Sequence, residues 1–324
     1  MRKATAIAHP NIAFIKYWGN KDYFLNLPAN SSISMNLANL ETRTTLSLLD
    51  NLDADELILD GYLQSGSALQ RVSAFLDIAR QLSGNYCFAH IESVNSFPQS
   101  AGLASSASAF AALALAASHV YGLDLSEKEL SILARRGSGS ASRSIPDGFV
   151  EWHMGTSNDD SFAETIVPAD YWQLWDYIAI VEEKPKKIGS SQGHRLADTS
   201  PLQAARLQSA PHRLTLCRQA ILEKDFEKLA NVIELDSNMM HAVMLTSHPP
   251  LLYWSPLSVE LMRQVAEWRS EGLAAAYTLD AGPNVHIICP SEAREEVKKR
   301  LSQMHGVVTV LDSPAGNGAK LILP

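Results

Sequence analysis

Tyr86-Cys87-Phe88-Ala89-His90-Ile91-Glu92-Ser93-Val94, followed by Pro98-Gln99-Ser100-Ala101-Gly102-Leu103-Ala104-Ser105-Ser106-Ala107-Ser108 and an Ala-rich run to Ser118, is the stretch on which the fold turns. The first segment reads as a strand and the run from Ser105 to Ser118 as a helix, because alanine is the best helix former. Between them lies a loop of small residues. Such a loop lets backbone amides approach an anion, and the helix start adds unsatisfied N–H groups and a favourable dipole. The serines would add hydroxyl donors to phosphate oxygens and a ligand for magnesium. The Gly and Lys of a Walker loop are absent, which excludes an ordinary P-loop. Taken alone, the stretch is equally well a capped, tightly packed Ala helix.

Two other places add to it. Gly137-Ser138-Gly139-Ser140-Ala141-Ser142-Arg143-Ser144 follows the basic pair Arg135-Arg136. Hydroxyls and a guanidinium at this density make a pocket for phosphate or carboxylate, which Arg grips with two prongs. In isolation the segment reads as a flexible surface turn. Asp280-Ala281-Gly282-Pro283-Asn284 follows an apolar strand ending in Tyr277-Thr278-Leu279. A carboxylate at a strand end beside a rigid turn suits proton handling or charge stabilisation, or merely begins a turn.

The bulk properties narrow the field. At 324 residues the chain suits two packed lobes. With 35 acidic against 27 basic side chains, the net charge of -8 argues against a nucleic-acid partner. Three Cys, at 87, 217 and 289, lie far apart and fit free thiols in a reducing cytoplasm. The longest apolar stretch, Ala109 to Ala117, is far short of the roughly 20 residues of a membrane span. His241 and His286 match no metal spacing, and a packed or solvated imidazole is the simpler reading, so no protein-bound metal is expected.

Periodicity predicts a strand within Ala4–Trp18, alternating strands from Ile33 to Leu49 and over Glu56–Leu59, a helix over Ser67–Leu82, and loop from Asp159 to Asp170. A strand at Leu174–Val181 precedes the lobe boundary, which is set at 185/186. Helices over Pro201–Glu223, Phe226–Met244 and Pro256–Glu271 and strands at Ala274–Leu279 and Val285–Cys289 make the remainder α+β.

Pro10-Asn11-Ile12-Ala13-Phe14-Ile15-Lys16-Tyr17-Trp18-Gly19, Asn30-Ser31-Ser32-Ile33-Ser34, the Pro98–Ser108 loop, Gly137–Ser144 with Gly148-Phe149-Val150-Glu151-Trp152, and Asp280–Asn284 together resemble the mevalonate diphosphate decarboxylases of the GHMP small-molecule kinase superfamily. The resemblance covers nearly the whole chain. It implies an α+β, two-lobed GHMP kinase fold, with an N-terminal ribosomal S5 domain 2-like α/β lobe (1–185) and a C-terminal ferredoxin-like α+β lobe (186–324). It implies ATP and Mg2+, phosphorylation of a carbon 3 hydroxyl, loss of that phosphate with carbon dioxide, and a cytoplasmic homodimer.

Carried over residue by residue, the resemblance makes Asp280 the essential carboxylate, as base or charge stabiliser, and Arg143 the grip on the substrate carboxylate, with Asn11 nearby. Lys16 would neutralise phosphate charge. Pro98, Ser100, Ala101, Gly102, Leu103, Ala104, Ser105, Ser106 and Ser108 would hold ATP. Tyr17, Ser138, Ser140, Ser190 and Arg71 would meet the phosphate tail.

One departure stands out. Where diphosphate-using members place a lysine after Lys16-Tyr17-Trp18-Gly19, this chain has Asn20, followed by Lys21, which could lean in as a substitute, so both are candidate substrate contacts. A neutral amide lacks the charge that makes a hydrogen bond worth about 1.5–3 kcal/mol. The expectation is therefore mevalonate 5-phosphate as substrate, giving isopentenyl phosphate. Mevalonate 5-diphosphate is the alternative, and a carbon 3 kinase that does not decarboxylate a further one.

Overall fold

The structure, a computed structural model, describes residues 2–49, 51–97, 105–182 and 188–322. The chain begins with two strands rather than one, β1 (Lys3–Ala8) and β2 (Asn11–Ile15), broken at His9-Pro10, since proline has no N–H for a ladder. Then come β3 (Asn20–Asp22), β4 (Leu27–Pro28), β5 (Ser32–Asn36), β6 (Thr42–Leu48), β7 (Glu56–Leu59), β8 (Tyr62–Leu63), α1 (Ser67–Ser83), β9 (Ala89–Asn95), α2 (Ser105–Tyr121), α3 (Glu127–Gly137), β10 (Phe149–Trp152) and β11 (Ala163–Val167). β11 lies in the expected loop. Its residues are unremarkable alone and become a strand by pairing antiparallel with β10.

The second half holds β12 (Leu174–Ile180), α4 (Ser190–His194), α5 (Gln203–Glu223), α6 (Phe226–Thr246), α7 (Pro256–Ser270), β13 (Ala276–Thr278), β14 (Val285–Pro290), α8 (Arg294–Ser302), β15 (Thr309–Pro314) and β16 (Lys320–Ile322).

Sheet order makes two lobes. The N-terminal one has a six-stranded sheet, β16-β1-β6-β9-β7-β8, and a four-stranded sheet, β11-β10-β5-β2; the C-terminal one has the sheet β13-β14-β12-β15. Assigned by sheet, Leu174–Ile180 belongs with the C-terminal half although it precedes residue 186, and Lys320–Ile322 with the N-terminal half although it follows it. The masses on either side confirm a two-lobed α+β protein.

Helix α2 explains its own composition. Ala107, Ala111, Ala112, Ala114, Ala116 and Ala117 are all buried, so the helix lies close against β1 and β6. In the C-terminal sheet, alternation sends Ile178, Ala276 and Ile288 toward α5 and α6, and Tyr177, Ile287 and Cys289 toward α7 and α8. The first of these faces looks toward β2. Among the described residues, no helix is long and apolar enough to cross a membrane.

Candidate active site

The site forms where the C-terminal end of β2 meets the end of β13. Lys16, just past β2, is buried, and its Nζ donates to Asp280 Oδ1 at 2.8 Å. Asp280 keeps 30% of its side chain open, so the pair is reachable from the space between the lobes. Burial works to raise the Asp280 carboxyl, but Lys16, His286 and Arg143 outweigh it and hold the group down at about 2. It is a permanent carboxylate at neutral pH.

Three residues of the C-terminal lobe, on the two helices α5 and α6, hold Lys16 from behind. Its backbone N–H donates to Asp236 Oδ2 at 2.6 Å, and Asp236 is in turn paired with Arg213. Arg206 donates to the carbonyls of Lys16 and Trp18 and to Asn30 Oδ1. The lysine is thus fixed through its main chain, which leaves its ammonium for the cleft.

Arg143 lies in the short 3-10 turn Gly139–Ser144 and is buried. Its Nε donates to Asn11 Oδ1 at 3.2 Å and one terminal nitrogen to Ser32 Oγ at 2.6 Å. Asn11 donates to Ser144 Oγ at 2.8 Å, and Ser144 to the carbonyl of His9. Among the described residues no carboxylate lies within ion-pair distance of this guanidinium. Burial lowers its pKa to about 10, opposed by Asp280 and Tyr17, so it stays charged at neutral pH.

The Gly-Ser segment is a packed turn, not a flexible surface one. A Cβ on Gly137 would stand 2.0 Å from the Phe110 ring, and one on Gly139 would stand 2.7 Å from Tyr17. Glycine is required here by close packing. The turn then lines up hydroxyls: Ser106 Oγ lies 3.2 Å from Ser138 Oγ, itself 3.4 Å from Ser140 Oγ. Arg71, on α1, donates to the carbonyl of Gly137 at 2.8 Å through a terminal nitrogen and lies over the Phe110 ring. Ser105 and Ser106 open α2.

The remaining expected residues separate. Pro98, Ser100, Ala101, Gly102, Leu103 and Ala104 lie outside the described residues. Ser108, grouped with the phosphate loop by sequence, turns inward instead: it is fully buried, 2.6 Å from Thr42 Oγ1 and donating to the carbonyl of Ser105, because it falls on the sheet-facing side of α2. Tyr17 is enclosed by Trp152 and His194 and donates to Asn20 Oδ1 at 2.5 Å; burial raises its pKa. Lys21 is exposed, with its ammonium 3.4 Å from the sulfur of Met154. Ser190 is exposed at the start of α4, whose His194 stacks on Trp18. Burial, with Arg206 and Arg143, holds His194 down at about 3, so it is neutral, and its Nδ1 accepts from Gly19 N–H.

Sequence reasoning passed over Ser32, Ser144, Arg206, Arg213 and Asp236. Ser32 and Ser144 stood inside motifs already singled out. The arginines on α5 had no local signal, since Arg206 and Arg213, two turns apart on an amphipathic helix, read as solvated charge.

Comparison with known proteins agrees with this geometry. Residues 8–163 match the family described as diphosphomevalonate decarboxylase-like N-terminal domain, and residues 177–317 match the mevalonate 5-diphosphate decarboxylase C-terminal domain. The diphosphomevalonate decarboxylase of Candida albicans is 39% identical over 95% of this chain and 90% of its own. The human enzyme of that name is 39% identical over 87% of this chain and 76% of its own. Among solved structures, mevalonate diphosphate decarboxylase from Staphylococcus aureus superposes with a TM-score of 0.94 at 39% identity, covering 99% of this chain and 98% of that one. The Enterococcus faecalis enzyme, studied for mevalonate diphosphate mediated ATP binding, gives a TM-score of 0.93 at 39% identity over the same shares. With the two-lobed GHMP kinase fold and the ordered motifs of the cleft, these matches place the chain in the diphosphomevalonate decarboxylase family of ATP-dependent decarboxylases.

Proposed function

We propose that this protein converts mevalonate 5-diphosphate to isopentenyl diphosphate, with ATP as phosphoryl donor. The observation that carries the reading is a buried Arg143 whose hydrogen-bond partners among the described residues are all neutral, in electrostatic contact with the ionised Asp280. A buried cation held by neutral oxygens can exchange them for an anion, and the planar fork suits a carboxylate.

The carbon 3 oxygen attacks the γ-phosphorus of ATP, the bond to ADP breaks, and the hydroxyl proton passes to the transferred phosphate, which makes the oxygen part of a leaving group. The C3–O bond then breaks with loss of phosphate, the C1–C2 bond breaks with loss of carbon dioxide, and its electrons form the alkene. Arg143 would hold the departing carboxylate in line. Asp280, held down at about 2, is a weak proton acceptor and a standing negative charge, so we assign it to orient the hydroxyl and to stabilise the positive charge at carbon 3. A loose phosphoryl-transfer transition state demands little of a base, and positioning with charge stabilisation does most of the catalysis. Lys16 would balance the incoming phosphate charge. Ser105 and Ser106 at the α2 start, with Ser138 and Ser140 beside Ser106, would supply donors for the phosphate groups, and Tyr17, Ser190 and Arg71 are the further candidates that the family resemblance names.

The oxygen donors here, the free oxygen of Asp280 and the α2 serines, are hard ligands of the kind magnesium takes. A relative has been solved with MVAPP, AMPPCP and magnesium bound. Magnesium would neutralise polyphosphate charge. A cytoplasmic homodimer is the setting we propose for the enzyme, on the family resemblance, and sedimentation would test the dimer.

The mevalonate 5-phosphate reading rests on one observation: Asn20 is buried, neutral, and committed to Tyr17 through its carbonyl oxygen, so it adds no charge for a terminal phosphate. The names of the relatives favour the diphosphate. Incubation with ATP, magnesium and each substrate separately, measuring carbon dioxide and ADP together, decides between them. The diphosphate is expected to yield both products. Release of both from the monophosphate alone would overturn the proposal, and ADP without carbon dioxide would leave a kinase.

A further inference from the structure

Helix α4 meets the run Tyr17-Trp18-Gly19-Asn20 through one side chain that the chemistry above does not use. The imidazole of His194 lies against two successive rings of that run, its centroid 4.2 Å from that of Tyr17 and 4.5 Å from that of Trp18. Gly193 makes so close an approach possible, since a Cβ there would stand 2.6 Å from the Trp18 ring. The Gly19 N–H donates to His194 Nδ1 at 3.0 Å, and the His194 carbonyl accepts from the Tyr23 hydroxyl at 3.2 Å.

These contacts fix where the proton sits. An amide N–H can only donate, so Nδ1 presents its lone pair, and the single N–H of a neutral imidazole falls on Nε2. The ring is neutral because burial, with Arg206 and Arg143, opposes its charged form. His194 is 8% exposed, and its Nε2 has no hydrogen-bond partner among the described residues. Leaving a buried donor unmet carries a desolvation cost that a ligand oxygen would remove. His241 also lacks a partner at Nε2, but that atom is sealed from solvent and its ring stacks on Trp254, which leaves a ligand no approach. His194 Nε2 is not sealed in that way. Its surroundings point to the class of ligand. Tyr17 packs in turn on the Gly139 turn, where a Cβ would stand 2.8 Å from the Tyr17 hydroxyl oxygen. That turn carries the Ser140 hydroxyl, beside Ser138, and the Arg143 guanidinium, which has only neutral hydrogen-bond partners among the described residues. Hydroxyls, a guanidinium and an imidazole N–H are donors together, and donors gathered at one place suit a phosphate with several acceptor oxygens.

We propose that His194 is a specificity-determining residue for the phosphate tail of the substrate: fixed in one tautomer by the Gly19 N–H and in one plane by Tyr17 and Trp18, it donates from Nε2 to a phosphate oxygen. It contributes direction rather than charge, at a place where Asn20 contributes no charge either. The inference rests on the reading above in taking a phosphorylated mevalonate as the ligand.

Two measurements test it. The first needs no turnover: the His194 imidazole of the whole enzyme, assigned by comparison with His194→Gln, is followed by nitrogen and proton NMR, alone and with mevalonate 5-diphosphate or mevalonate 5-phosphate added. The free enzyme is expected to carry its proton on Nε2, and that proton should move downfield and exchange more slowly with water once a phosphate accepts from it. A proton found on Nδ1, or an Nε2–H signal that neither compound moves, would overturn the inference. A response to the monophosphate alone keeps His194 and counts against the diphosphate reading. A response from an enzyme that releases neither ADP nor carbon dioxide keeps His194 and counts against the reaction. The second measurement is steady-state kinetics. His194→Phe keeps an aromatic ring against Tyr17 and Trp18 and removes both nitrogens. It is expected to raise KM for the phosphorylated mevalonate by about 10-fold or more, with KM for ATP within about twofold and kcat within about threefold. His194→Gln offers an oxygen to Gly19 and an N–H to the phosphate, so it should recover most of that loss. Equal KM increases for ATP and for the phosphorylated mevalonate, or a glutamine variant no better than the phenylalanine one, would reduce His194 to packing. Should His194→Phe fail to fold, the NMR result on wild type decides.

Discussion

Arg213 and Arg143 are buried alike, 2% and 3% exposed, yet they face different things. Arg213 meets the carboxylate of Asp236 at 2.6 Å and also bonds Ser209 and the carbonyl of Arg206. Among the described residues, Arg143 hydrogen-bonds only to a side-chain amide and a hydroxyl, and it lies over the Trp152 ring. The first is a finished joint between α5 and α6 that holds the backbone of Lys16. The second is a cation without an acid within ion-pair distance among the described residues, and the proposed function gives it the substrate carboxylate. Depth of burial does not distinguish a structural charge from a working one; the nature of its partners does.

The contrast can be broken most forcefully at Arg213. Arg213→Met leaves Asp236 fully buried and short of its counter-charge, which costs about 3–5 kcal/mol. Urea unfolding should register the loss, while the folded fraction keeps its substrate KM within about threefold, because Asp236 still accepts the Lys16 N–H. A stability unchanged by this substitution would show that burial alone, not pairing, marks the joint.

Arg143→Gln should do the reverse. Removing one fixed positive group aimed at a reacting carboxylate lowers kcat by about 10²–10³-fold. Stability should hold or rise, since a buried cation without an acid partner is removed and glutamine can still reach Asn11 and Ser32. Steady-state decarboxylation and thermal melts on one preparation check both halves. Equal losses in activity and stability would place Arg143 with Arg213 and undo the distinction.

The same distinction sets what could be seen in the sequence. The strand, the Ala-rich helix and the C-terminal helices were legible because each is fixed by local periodicity and propensity. Arg143 and Asp280 were legible because each sits in a short motif of polar and small residues that local packing alone does not demand, whereas Lys16, in an apolar and aromatic run, was reached only through the family resemblance. Arg213 and Arg206 were not: their partners, Asp236 and the Lys16 and Trp18 carbonyls, come from other elements, and pairing of that range leaves no trace in spacing. Gly137 and Gly139 misled for the same reason, since composition gives a turn and only the Phe110 and Tyr17 rings make it a rigid one. The strand Ala163–Val167 likewise exists by virtue of β10.

Asn20 sharpens the comparison on the substrate side. It is a buried neutral group at a place where charge would matter, so Asn20→Lys adds a cation rather than removing one. A charged hydrogen bond to a terminal phosphate, worth about 1.5–3 kcal/mol, should raise the preference for diphosphate over monophosphate by about 10-fold or more. The ratio of kcat/KM for the two substrates reports it. Loss of the Asn20 acceptor also frees the Tyr17 hydroxyl, so an unchanged ratio with lower kcat for both would mean that Asn20 serves to seat Tyr17 and not to choose the tail.

The smallest effect is expected at Ser32. Its hydroxyl accepts from Arg143 at 2.6 Å and has no acid character, so it holds the guanidinium without competing for it. Ser32→Ala removes one neutral acceptor from a buried cation, which costs about 1 kcal/mol in stability. In the ligand-bound enzyme the substrate carboxylate would take up the freed N–H, so the melting-temperature deficit of Ser32→Ala should shrink when substrate is present, whereas that of Arg213→Met should persist. A Ser32→Ala deficit that substrate leaves untouched would mean that Arg143 keeps its neutral partners throughout, and the grip on the carboxylate would have to be sought elsewhere.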